Sequence, residues 1–75
     1  MNNQTLYRVV LRSDTDSVWV QEEIFVGNLI EFINKFGSIK VNPLTPFKRN
    51  GKIYRYYITE FQDGFWHHSK DPRSN

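Results

Sequence analysis

Phe47-Lys48-Arg49-Asn50-Gly51-Lys52-Ile53-Tyr54 sets an Asn-Gly pair between two runs of strand-forming residues. Both central residues of a type I′ turn need positive φ, and Asn-Gly meets that need better than almost any other pair. A two-residue turn places Arg49 opposite Lys52, Lys48 opposite Ile53, Phe47 opposite Tyr54 and Thr45 opposite Tyr56. The faces then sort themselves. Phe47, Tyr54, Tyr56 and Ile58 share the side expected to be core, and Lys48, Ile53, Arg55 and Tyr57 share the other.

Beyond this hairpin the chain passes Phe61, Asp63-Gly64 and Phe65-Trp66 into a polar tail, residues 67–75, which is expected to fray. Upstream, Ile39-Lys40-Val41 is expected to form a strand, limited by Pro43 and Pro46 to an edge, a bend or two short pieces. Before it, Leu29, Phe32, Ile33 and Phe36 fall at i, i+3, i+4 and i+7, the spacing of a one-faced helix. Asn28 suits its N-cap, Glu31 completes a capping box, and Gly37 fits a left-handed C-terminal position. About two turns of helix cannot persist alone, so this one must lie on the sheet.

At the start, Thr5 to Arg12 reads as a strand with Tyr7, Val9 and Leu11 on one face and Arg8 and Arg12 on the other. Ser13-Asp14-Thr15-Asp16-Ser17 suits a hairpin loop, and Val18 to about Phe25 is the return strand, its period blurred by Glu22-Glu23. The fold class that follows is α+β: a small antiparallel sheet in the order β-β-α-β-β-β with one short helix packed on one face. It is expected to be a single domain over residues 1–66.

Seventy-five residues allow only a thin core, and the chain has no cysteine to staple it. Stability must come from side-chain packing, for which six Phe, four Tyr and two Trp are available. Alanine is absent, which favours sheet over helix. The first residues, Met1-Asn2-Asn3-Gln4-Thr5, lack a basic and an apolar region of secretory type, and no apolar run approaches the ~20 residues of a membrane span. A cytoplasmic location without membrane contact is the expectation.

Charge is unevenly distributed. Residues 1–31 hold Arg8 and Arg12 against Asp14, Asp16, Glu22, Glu23 and Glu31, whereas residues 32–59 hold Lys35, Lys40, Lys48, Arg49, Lys52 and Arg55 with no acid. The cations at 48–55, with Tyr57 on the same face and Arg8 and Arg12 joining it, suit phosphate contact with base stacking. Charge runs of this kind more often only keep a hairpin solvated and its edges unsociable, and they can also steer an acidic protein partner. No RNP-type glycine-and-aromatic run, basic recognition helix or zinc-finger spacing is present.

Catalytic signals are missing. His67 and His68 are adjacent, so in a strand they point to opposite sides and do not make a metal site. Asp14/Asp16 read as turn chemistry and Glu22/Glu23 as a solvated strand end, and the glycines at 27, 37, 51 and 64 form no phosphate loop. No catalytic residue, metal or cofactor is expected. The expected function is a small non-catalytic accessory protein, of regulator or inhibitor type, that binds a larger protein through an aromatic and basic sheet surface. Lys48, Arg49, Lys52, Arg55, Tyr57, Arg8, Arg12 and Trp66 are its candidate residues. The alternative is sequence-tolerant nucleic-acid binding by the 48–55 hairpin, and exposed sheet edges also allow a homodimer.

Overall fold

Two tight turns organise half of the sheet. Asn50 and Gly51 have φ of 51° and 78°, and Asp63 and Gly64 have φ of 50° and 86°, so both pairs adopt the doubly positive geometry of hairpin turns. In the computed structural model, which describes residues 4–68 and 72–73, the elements run β1 (Thr5–Ser13), β2 (Val18–Gly27), α1 (Leu29–Phe36), β3 (Phe47–Arg49), β4 (Lys52–Gln62) and β5 (Phe65–His68). The strands form one antiparallel sheet in the order β2-β1-β4-β3, with β5 also paired to β4. The α+β class and element order expected from the sequence are therefore the ones observed.

The Asn-Gly register holds at Phe47↔Tyr54, Lys48↔Ile53 and Arg49↔Lys52, but not at Thr45↔Tyr56. Pro46 has no N–H to extend the ladder, and Leu44 turns away with φ 67° while its N–H donates to the Tyr56 carbonyl at 2.8 Å. The expected strand at Ile39-Lys40-Val41 does not form. The Arg73 guanidinium donates instead to the carbonyls of Phe36, Ile39 and Val41, so a side chain meets acceptors that a strand would have offered to a neighbour. His67 and His68, expected in the frayed tail, extend β5 and pair with Glu60 and Thr59. Of the remaining tail, residues 69–71 and 74–75 lie outside the described residues.

Asn28 caps α1 as anticipated: its side chain accepts from the Glu31 N–H and the Glu31 carboxylate accepts from the Asn28 N–H, both at 2.9 Å. Gly37, however, is right-handed, with φ −65°. Its small size matters for another reason, since a Cβ there would stand 2.6 Å from the Ile33 carbonyl oxygen. Phe32 and Phe36 point at the sheet and are buried, while Leu29 stays 46% exposed. The core comprises Tyr7, Val9, Phe32, Phe36 and Ile58, with Phe25, Ile39 and Tyr56 packed around it. Its aromatic contacts are close, with Tyr7–Phe32 at 4.3 Å and Phe32–Phe36 at 4.7 Å between centroids.

Residues facing this core alternate along β1 as Tyr7, Val9 and Leu11, so Arg8, Val10 and Arg12 face away. On β2 the alternation breaks, because Leu11 pairs with Gln21 but Arg12 pairs with Trp19. Val20 is the extra residue of this bulge, while Glu22 and Glu23 lie beyond it in regular register opposite Val10 and Val9. The bulge also brings Trp19 to the face opposite the helix.

Candidate functional site

The face of the sheet without a helix is built by cross-strand register. Arg8 lies between Ile24 and Thr59, Val10 between Glu22 and Tyr57, and Arg12 between Trp19 and Arg55. The Asp63-Gly64 turn then folds β5 back so that Trp66 pairs with Phe61 and His68 with Thr59. Directly opposed residues share a face, so Trp66 and His68 stand on the side of Tyr57.

These residues enclose a basin of about 250 Å³, lined by Arg8, Val10, Arg12, Trp19, Tyr57, Thr59 and His68. Val10 is 2% exposed and forms its floor. The Arg8 guanidinium is held between two indoles, 5.2 Å from the Trp19 ring centre and 5.0 Å from that of Trp66. Trp66 meets Phe61 edge-on at 5.3 Å, and His68 tilts over Tyr57 at 6.0 Å. Ile24, Val26, Ile53 and Phe61 extend the same face as exposed apolar side chains. Stacking of this kind fixes the orientation of the guanidinium.

The candidate residues divide. Arg8, Arg12, Arg55, Tyr57 and Trp66 come together on this open face, with Lys48 at its far corner opposite Ile53. Arg49 and Lys52 lie on the other side, where Arg49 stacks on Phe47 and Tyr54 at 5.4 and 5.8 Å.

The acidic β1–β2 turn folds onto the basic hairpin. Asp14 accepts from Arg12 Nη1 and Arg55 Nε, each at 2.5 Å, and so bridges two like charges on neighbouring strands. Asp16 accepts from Lys52 Nζ at 2.6 Å, while Thr15 Oγ1 accepts from the Ile53 N–H at 3.0 Å. Hydrogen bonding from Arg55, aided by Arg12, holds the Asp14 carboxyl below the usual aspartate range, and Lys52 does the same for Asp16. The uneven charge of the sequence is thus largely neutralised in space at Lys52, Arg55 and Arg12.

The histidines lie on opposite faces, with His67 Nε2 3.1 Å from the Gln62 carbonyl and His68 against Tyr57. Among the described residues no three His, Cys, Asp or Glu side chains gather as a metal site. A second concavity, about 260 Å³, lies beside the helix between Lys35, Phe36, Ile39 and Tyr56. Its rim is bridged by the Lys35–Glu23 ion pair at 3.0 Å.

Val10, Trp19, Thr59 and His68 belong to the basin but not to the candidates drawn from sequence. For Thr59 and His68 the signal was present: Asp-Gly between Phe61-Gln62 and Phe65-Trp66 dictates the same turn as Asn-Gly and hence the Thr59↔His68 register. Trp19 depends on the bulge, which no local pattern marks. Among the described residues no helix is long and apolar enough to cross a membrane. No protein-family model, curated protein or solved structure matches this chain.

Proposed function

We propose that this chain is a small non-catalytic module, of regulator or inhibitor type, that docks on a larger protein through the helix-free face of its sheet. One observation carries the reading: α1 covers one side of the sheet, and the other presents Trp19, Ile24, Val26, Ile53 and Phe61 exposed around a stacked arginine. An antiparallel sheet often leaves one face solvated, but that face is then largely polar. Exposed apolar side chains around Trp, Tyr and Arg match the composition of interface hot spots.

The ion pairs of Asp14 and Asp16 weigh against phosphate tracking by the hairpin, because a polyanion would have to displace them from Arg12, Arg55 and Lys52. Affinity capture from a native lysate, with and without nuclease, tests the choice. The expected outcome is a protein partner retained after nuclease treatment and lost with Trp19→Ala. Recovery of nucleic acid, with the protein lost on nuclease treatment, would overturn the reading.

A further inference from the structure

β2 is an edge strand, and no segment among the described residues pairs with its outer side. An antiparallel edge strand turns the N–H and C=O groups of alternate residues outward, where another strand can meet them. Sheets blunt such edges by shortness, proline, bulges or charge. The opposite side of this sheet uses the first two, since β3 has three residues and follows Pro46, and β5 has four. β2 has ten. Its bulge lies near one end at Val20, and residues 21–27 run in unbroken register against residues 5–11 without a proline. Within that stretch Ile24 and Val26 are 52% and 57% exposed.

Charge is the remaining defence, at Glu22 and Glu23. Both are engaged within their own chain, Glu22 Oε2 3.7 Å from Arg8 Nε and Glu23 Oε2 3.0 Å from Lys35 Nζ. As neighbours in a strand they stand on opposite faces of the sheet.

We propose that β2 pairs with β2 of a second copy of this chain, antiparallel about a two-fold axis through Ile24, doubling the five-stranded sheet. Register selects this axis. Opposed residues of an antiparallel ladder are alike in whether their backbone groups point across, so a two-fold axis passes through a residue and not between two. An axis at Glu22 or Glu23 sets a glutamate directly against its copy, which is destabilising. At Gln21 it runs the bulge into the ladder, and at Phe25 or Val26 it shortens the pairing. At Ile24 the whole of 21–27 pairs: Gln21 of each copy faces Gly27 of the other, Glu22 faces Val26, Glu23 faces Phe25 and Ile24 faces Ile24. Each glutamate then meets an uncharged residue. The two Ile24 side chains meet at the axis with the Val26 side chains diagonal to them, an apolar strip on the helix-free side. Opposed residues share a face, so the helix-free faces of the two copies adjoin on one surface and both helices lie on the other. The dimer does not rest on the docking reading, whose surface it leaves facing outward.

One strand a side is far smaller than the ~20–30 residues of a standard interface, so the dimer belongs to the weak, exchanging class, with a Kd of about 10–100 µM. Analytical ultracentrifugation of the intact protein from about 1 µM to 1 mM should show the mass rising from monomer to dimer and no further. Ile24→Lys and Ile24→Glu, each setting like charges together at the axis, should raise the Kd at least about tenfold. An equimolar mixture of the two sets Lys against Glu and should restore the dimer. Ile53→Glu, on the same face but on β4, should leave it unchanged. Hydrogen exchange of the parent protein should slow at every second amide of residues 21–27 as the concentration rises.

A monomer at every concentration up to about 1 mM would overturn the dimer and leave docking on a larger protein untouched. A dimer weakened equally by Ile53→Glu would move the contact from the edge to the open face and overturn the inference. Failure of the mixture to recover would overturn the Ile24 axis, and masses growing beyond the dimer would overturn the two-fold closure. Both variants should keep the circular dichroism of the parent, because Ile24 is half exposed. Should either unfold, the exchange pattern decides, and the absence of concentration-dependent slowing in residues 21–27 would overturn the pairing.

Discussion

Replacing Thr59 by valine should stabilise this protein. Thr59 sits in β4 between Arg8 of β1 and His68 of β5, 3% exposed, with a hydroxyl that finds no hydrogen-bond partner among the described residues. An unmet buried polar group costs about 1–3 kcal/mol, and valine exchanges it for a methyl group of nearly the same shape with equal liking for a strand. Taking the lower end of that range, the gain is about 1 kcal/mol. In a domain of this size such a gain raises the Tm by about 4–8 °C. Urea unfolding followed by circular dichroism gives the same quantity as a shift in midpoint at constant slope. A loss of about 1 kcal/mol or more would show that the hydroxyl is satisfied in the folded protein.

Phe32 is fully buried at the centre of the aromatic core, and Phe32→Ala should cost about 3–5 kcal/mol. Circular dichroism should then show a large fall in Tm or outright unfolding, and a Tm within a few degrees of the parent would contradict the packing described. Asp14 and Asp16 are held below 3.8 chiefly by hydrogen bonds from Arg55 and Lys52. Their stabilisation is therefore complete above the unfolded-state value and lost as pH falls through the depressed folded values. Lys52 is raised above 10.5 by Asp16, so its share persists below 10.5 and is lost as pH rises beyond it. Urea midpoints measured down to about pH 2 should fall below about pH 4, less steeply in Asp14→Asn, and an unchanged midpoint would refute the pairing. Arg73→Ala removes the donor to three carbonyls after the helix and should cost about 1–2 kcal/mol, read as a lower urea midpoint.

Much of the fold was legible because it is encoded locally. Asn50-Gly51 fixed the β3–β4 register, and Asn28 with Glu31 fixed the helix start; both depend on residues within one turn of each other. Features set by distant partners were not legible. Ile39 to Val41 has strand composition, but its carbonyls are met by Arg73, more than thirty residues away. The basic hairpin looked free in sequence, since Asp14 and Asp16 lie 36 to 41 positions from Lys52 and Arg55. Alternation along β1 and β4 predicted the open face with Arg8, Arg12, Arg55 and Tyr57. Its centre also needed the β2 bulge that places Trp19 and the second turn that places Trp66 and His68.

The claim that the helix-free face is the docking surface is tested most directly by comparing two substitutions of exposed apolar residues on opposite sides. Trp19 is 56% exposed on the open face, and Ile30 is 70% exposed on the helix. The affinity of the captured partner would be measured by calorimetry for Trp19→Ala and Ile30→Ala, with the Tm of each recorded alongside. Trp19→Ala should lose about 2 kcal/mol of binding, roughly thirtyfold in Kd, while Ile30→Ala changes it less than about twofold. A larger loss from Ile30→Ala, at equal stability, would place the interface on the helix and contradict the account.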